Sequence, residues 1–134
     1  MILDSSAVLA ILANESERGP MLEVLSAATL VSMSAATYLE AAVVIDSRRD
    51  PVLSRRYDEL LDTLDVKIVE VTLAQARRAR EAYRDYGRGS SSPARLNYGD
   101  CFAYALATER GDVLLFKGDD FVHTDVRQAM DEPT

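Results

Sequence analysis

Short apolar runs alternate along this chain with longer stretches in which apolar residues recur every three or four positions. The short runs, Met1–Asp4, Thr29–Met33, Val66–Val71 and Asp112–Phe116, read as strands. Ala7–Ala13 is apolar and alanine-rich and reads as a helix, with Ser5 or Ser6 as its cap. Gly19-Pro20 opens a second helical stretch, through about Ala27, and Ser34 is a good cap for a third, Ala35–Ser47. Asp50-Pro51 breaks the chain. Pro51 suits a first helical position, and the helix continues over Val52–Leu64 with Leu53, Tyr57, Leu60, Leu61 and Leu64 as its apolar stripe. Thr72 caps a long helix to about Tyr86, where Gly87 stops it. Gly89 through Pro93 is a loop, and Asn97 caps a last helix, Tyr98–Glu109, with Gly111 beyond its end. Thr124–Ala129 reads as a final short strand or a turn.

No internal repeat and no linker divides the chain, so its 134 residues are expected to form one domain, 1–134. Strands separated by helices imply an α/β fold: a mostly parallel central sheet of four or five short strands, helices on both faces and right-handed crossovers. Sites in such sheets form beyond the carboxyl ends of the strands.

Composition narrows the picture. The chain is 48% hydrophobic, enough to bury a core. Cys101 is its only cysteine, which excludes an intramolecular disulfide and a cysteine-based zinc cage and fits a cytosolic setting. The first residues, Met-Ile-Leu-Asp, lack the basic start and longer apolar stretch of a signal peptide, and no apolar run approaches the ~18 residues of a membrane span. The net charge of −7 argues against a nonspecific nucleic-acid coat protein. The basic residues are unevenly spread, however. Residues 77–95 carry Arg77, Arg78, Arg80, Arg84, Arg88 and Arg95 against only Glu81 and Asp85, which is either a solvated helix face or a phosphate-contacting strip.

The candidate chemistry lies in the acids. Asp4 directly follows Met-Ile-Leu, and Asp119 and Asp120 follow Val-Leu-Leu-Phe-Lys-Gly, both places where a parallel strand delivers side chains to the crevice. Glu40 and Asp100 sit early in two helices that are apolar around them. An ionised carboxylate left unpaired on such a face costs several kcal/mol. A helix N-terminus offsets only about 0.3–1 kcal/mol of that at an exposed site, whereas a shared divalent cation compensates far more. Each acid also has an ordinary reading. Asp100 can be the third-position partner of an Asn97 cap, Glu40 the partner of an arginine, Asp4 the cap of the first helix, and Asp119 and Asp120 turn residues. Oxygen-only ligands with no cysteine cluster favour Mg²⁺ or Mn²⁺ over zinc, and those ions suit phosphate chemistry.

Other chemistries fit less well. There is no Gly-x-Gly-x-x-Gly or Gly-Lys-Ser/Thr loop for nucleotide phosphates. His123 is the sole histidine and reads as a surface or tail residue, and Cys101 reads as core. Tyr83, Tyr86 and Tyr98 flank the basic loop and read as packing residues rather than base-stacking platforms. A phosphatase working through an aspartyl-phosphate would want a second acid near its nucleophile, and Ser5-Ser6-Ala7 after Asp4 offers none two positions on.

Met-Ile-Leu-Asp-Ser-Ser-Ala at 1–7, Ser-Ala-Ala-Thr-Tyr-Leu-Glu-Ala at 34–41, Leu-Asn-Tyr-Gly-Asp-Cys-Phe-Ala-Tyr-Ala-Leu-Ala at 96–107, and Leu-Leu-Phe-Lys-Gly-Asp-Asp-Phe with Thr-Asp-Val at 114–126 together resemble the PIN-domain toxins of VapC-like toxin–antitoxin pairs. The resemblance spans nearly the whole chain. It implies a PIN-like α/β/α sandwich and a Mg²⁺- or Mn²⁺-dependent endoribonuclease. It implies Asp4, Glu40 and Asp100 as core acids, Asp119 as the fourth with Asp120 as the alternative, Ser6 as the accompanying hydroxyl, and Asn97 as the residue that orients Asp100 or the water on the metal. The position more often occupied by Thr in the family is Ser5 here. The resemblance further implies a transfer or ribosomal RNA substrate, a cognate VapB-like antitoxin and a homodimer. The rival reading is a catalytically inactive PIN-like module that only binds its partner.

Overall fold

The computed structural model describes residues 1–130. Its centre is a parallel sheet of β1 (Ile2–Leu3), β2 (Ser32–Ser34), β3 (Lys67–Val69) and β4 (Leu114–Leu115), in the order β3-β2-β1-β4. The first strand of the chain is therefore an inner strand. Ile2 stands opposite Ser32 on one side and Leu114 on the other, and Leu3 stands opposite Leu115. Among the described residues the helices are α1 (Ser5–Leu12), α2 (Arg18–Ala27), α3 (Ala35–Asp46), α4 (Pro51–Thr63), α5 (Leu73–Tyr86) and α6 (Tyr98–Arg110).

Successive strand residues point to opposite faces, and here both faces are covered. Ile2 and Leu114 pack with Ala79 and Ala82 of α5 and with Cys101 and Leu106 of α6. Leu3 and Leu115 pack with Val8, Ile11, Met21, Ile45 and Tyr57 from α1 to α4. This is the α/β/α sandwich the alternating pattern predicts. The all-parallel sheet follows from it, because a helix joins each strand to the next.

Most caps fall where the polar residues placed them. Ser34 Oγ accepts from the Ala36 N–H at 3.2 Å, Asp50 Oδ1 from Val52 at 3.0 Å, and Thr72 Oγ1 from Gln75 at 3.1 Å. Three expectations change. The cap of α1 is Asp4, the ordinary reading of that acid, rather than Ser5 or Ser6: β1 ends at Leu3, so Asp4 is the first extended residue free to cap, and both serines lie inside the helix. Helix α2 starts at Arg18, and Gly19-Pro20 occupy its first turn, where a proline loses no hydrogen bond. Thr124–Ala129 supplies only an isolated parallel bridge, Gln128 to Leu114, held by Leu114 N–H to Arg127 O at 2.8 Å and Ala129 N–H to Leu114 O at 2.9 Å. Among the described residues no helix is long and apolar enough to cross a membrane.

Helix α6 buries Gly99 through Cys101 and Ala103 through Ala107, and its Leu106 has no exposed surface. Leu106→Ala should cost about 2–5 kcal/mol, read as a lower urea midpoint at unchanged slope. A loss below about 1 kcal/mol would mean that α6 is not anchored by this contact.

Candidate active site

The carboxyl ends of β1, β2 and β4 and the first turn of α6 meet on one side of the sheet. Asp4, directly after β1, is only 1% exposed. Its Oδ2 accepts from the Ser6 N–H at 3.0 Å and from the Ser6 hydroxyl at 2.6 Å, while its Oδ1 is buried with no partner. Burial pushes its carboxyl up to about 6. The Ser6 hydrogen bonds oppose that rise and the Glu40 charge adds to it.

Glu40 comes from the second turn of α3, and its Oε1 accepts from the Ser5 hydroxyl at 2.7 Å. The two serines thus divide the work, Ser6 holding Asp4 and Ser5 holding Glu40. The sequence pointed to Ser6 alone. Ser6 has a further part, since its Oγ accepts from the Lys117 backbone N–H at 2.9 Å and so ties the segment after β4 to the start of α1.

Asp100 belongs to a capping box. Asn97 Oδ1 accepts from the Asp100 N–H at 2.8 Å, and Asp100 Oδ2 accepts from the Asn97 N–H at 3.0 Å. The ordinary reading of Asp100 is correct as far as it goes, and Asn97 does orient it. Only one carboxylate oxygen is spent in the box. Burial, with added repulsion from Asp4 and a hydrogen-bonding contact to Asp120, lifts the Asp100 carboxyl to about 7 against the pull of the Asn97 N–H.

That contact separates the two aspartates after β4. Gly118, at φ 106°, turns the chain in a conformation that favours glycine. Beyond the turn Asp120 reaches Asp100, whereas Asp119 lines a separate cavity of about 500 Å³ with Glu17, Lys117 and Phe116. The geometry therefore favours Asp120, the alternative, over Asp119, the first choice from sequence. Which aspartate faces the acids depends on this turn, and adjacent residues in an irregular segment give no periodic signal.

The acids form a row, Glu40 beside Asp4, Asp4 beside Asp100 and Asp100 beside Asp120. Among the described residues no three His, Cys, Asp or Glu side chains already stand together as a cation cage. Cys101 is buried, its thiol donates to Asn97 O at 3.3 Å, and burial followed by the Asp100 charge pushes it up to about 11, so it is no thiolate nucleophile.

Beside the acids, α5 and α6 enclose a largely apolar groove of about 670 Å³ lined by Ala79, Arg80, Tyr83, Arg88, Tyr98 and Phe102. The six arginines of the 77–95 stretch are exposed, and among the described residues only Arg84 has an acid within 4 Å, Asp85 at 3.7 Å. Tyr86 packs on Tyr104 as expected, whereas Tyr83 and Tyr98 are exposed.

A model of the PIN domain matches residues 1–127. The chain belongs to the PIN-domain family. Within that family it is VapC-like: Ribonuclease VapC28 of Mycobacterium tuberculosis is 50% identical to it over 131 residues, 98% of each chain. The structure of VapC20 of the same organism, described as a sarcin-ricin loop cleaving toxin, superposes with a TM-score of 0.70 at 15% identity, covering 94% of this chain and 98% of that one. A toxin–antitoxin complex from Klebsiella pneumoniae contains a chain that superposes at 0.71 with 17% identity, covering 98% of both. At those identities the two structures speak for the PIN fold.

The raised carboxyls give this PIN domain a testable pH dependence. Asp4 and Asp100 keep their protons when folded up to about 6 and about 7, whereas the ordinary value of 3.8 applies to the unfolded chain. Folding therefore takes up protons in that window, and stability falls as pH rises from about 4 to about 7. With a chelator present, Asp4→Asn should match the parent near pH 4 and exceed it by roughly 3 kcal/mol at pH 7. Parallel stability curves for parent and variant across that range would show that Asp4 carries no such penalty.

Proposed function

We propose that this PIN domain is a Mg²⁺- or Mn²⁺-dependent endoribonuclease that hydrolyses RNA phosphodiester bonds in the cytoplasm, as the toxin of a toxin–antitoxin pair. The observation that carries the reading is the buried, unpartnered Asp4 Oδ1 in a row of mutually repelling carboxylates. A surface that served only to dock a partner would gain nothing from that cost, which favours an enzyme over an inactive binding module.

The donor set is all oxygen and fits a hard divalent cation. Asp4, Glu40, Asp100 and Asp120 are the residues that would hold it. A cation held there would supply Lewis-acid polarisation of a phosphoryl oxygen and a more acidic water. The protein's own part is to aim the acids. Ser6 leaves one oxygen of Asp4 free, Ser5 fixes one oxygen of Glu40, and the Asn97 box fixes one oxygen of Asp100. No side chain has to become a covalent nucleophile.

The exposed arginines from Arg77 to Arg95 supply phosphate contacts that offset repulsion between RNA and a chain of net charge −7. The names of the relatives support a ribonuclease, and we infer structured RNA, a transfer or ribosomal RNA, as the substrate class. A VapB-like antitoxin and a second copy of the chain complete the assembly we infer. Exposed Leu39, Val43, Leu73 and Tyr98 offer apolar area for such contacts.

Purified protein incubated with total RNA should yield discrete fragments with Mg²⁺ or Mn²⁺ and none with chelator or with Asp4→Asn/Asp100→Asn. Full activity in the double variant would sink the assignment. Asp120→Asn should lower cleavage by more than about tenfold, while Asp119→Asn should stay near the parent. The opposite ranking would restore Asp119 as the fourth acid.

A further inference from the structure

Gly99 is the second residue of α6 and is buried between the Asn97 cap and Asp100. Glycine is a poor helix former, so its place in this turn calls for a reason. A Cβ at this position would stand 1.6 Å from Glu40 Oε2, 2.4 Å from its Cδ and 2.9 Å from its Oε1. All three atoms belong to one carboxylate at the tip of a flexible side chain. The Ser5 hydroxyl, 2.7 Å from Oε1, holds the same carboxylate from α1.

We propose that Gly99 is the positioning residue for Glu40, its missing side chain being the space through which the α3 carboxylate reaches the first turn of α6. Two consequences follow from the geometry. The Glu40 carboxylate occupies the place of a side chain one residue before Asp100, so acids from two helices converge through a single backbone position. It also lies at the N-terminal end of α6, where the backbone N–H groups of the first turn lack partners within the helix. The three atoms nearest a Cβ at 99 all belong to the flexible tip of Glu40, so alanine there pushes that tip aside. The proposal rests on the reading of Glu40 as one of the acids that hold a divalent cation.

The test is Mn²⁺ titrated into the full chain without RNA, beside a melting curve, for the parent, Gly99→Ala, Glu40→Gln and the double variant. Gly99→Ala should melt within about 5 °C of the parent yet bind Mn²⁺ about 10- to 100-fold more weakly. Glu40→Gln should lose a similar factor, and the double variant should be no weaker than the weaker single one. Parent-like Mn²⁺ affinity in Gly99→Ala with loss in Glu40→Gln overturns the proposal and leaves the reading of Glu40 standing. Losses that multiply in the double variant also overturn it, because the two residues then act independently. If the parent takes up no Mn²⁺, or Glu40→Gln binds as well as the parent, both the proposal and the reading fall. Should Gly99→Ala melt far lower, Gly99→Ala/Glu40→Ala decides: recovery of the parent's melting temperature upholds the contact, and no recovery overturns it.

Discussion

A two-residue strand with neighbours on both sides and helices on both faces sets the geometry of this molecule. β1 is flanked by β2 and β4, and the residue that follows it is almost wholly buried in the crevice at the strand ends. That residue is Asp4. Its burial dictates the local chemistry: the carboxylate needs donors, finds the Ser6 N–H and hydroxyl for one oxygen, and finds none for the other. The serine that satisfies it also receives the Lys117 N–H, so the strand end, the first helix and the segment after β4 share one hydrogen-bonded corner.

Much of this was legible in the chain. Apolar runs ending in Asp marked β1 and its carboxyl end, and Ser34, Asp50, Thr72 and Asn97 each announced a helix start that the structure keeps. Adjacent residues were harder to separate. Ser5 and Ser6 point in directions about 100° apart on a helix, so only the position of α3 decides that Ser5 meets Glu40. Asp119 and Asp120 differ by the sense of the Gly118 turn. Strand lengths were overread because β-branched residues also line the loops beside the sheet: Val66–Val71 narrows to Lys67–Val69 at an edge where Ile68 is exposed. A glycine inside an otherwise helical pattern, where it costs about 1 kcal/mol against alanine, was the available signal for Gly99.

Asp100 shows why structural and chemical readings of one residue need not compete. As the third residue of a capping box it stabilises the start of α6, and the same bond fixes the direction of its other oxygen. The helix is ordered by the contact that aims the acid. Burial and the neighbouring carboxylates raise its proton affinity, so the capped helix carries an electrostatic cost that a positively charged occupant would relieve.

The order of the strands has a consequence for synthesis. The inner strand is made first, but the neighbour that completes it, Leu114–Leu115, and the aspartate that meets Asp100 come more than a hundred residues later. While the chain is still emerging from the ribosome, one edge of β1 has nothing to pair with and the crevice lacks a wall. The sheet and the row of acids are thereby complete only when almost all of the chain has been made, and the delay is a property of topology alone.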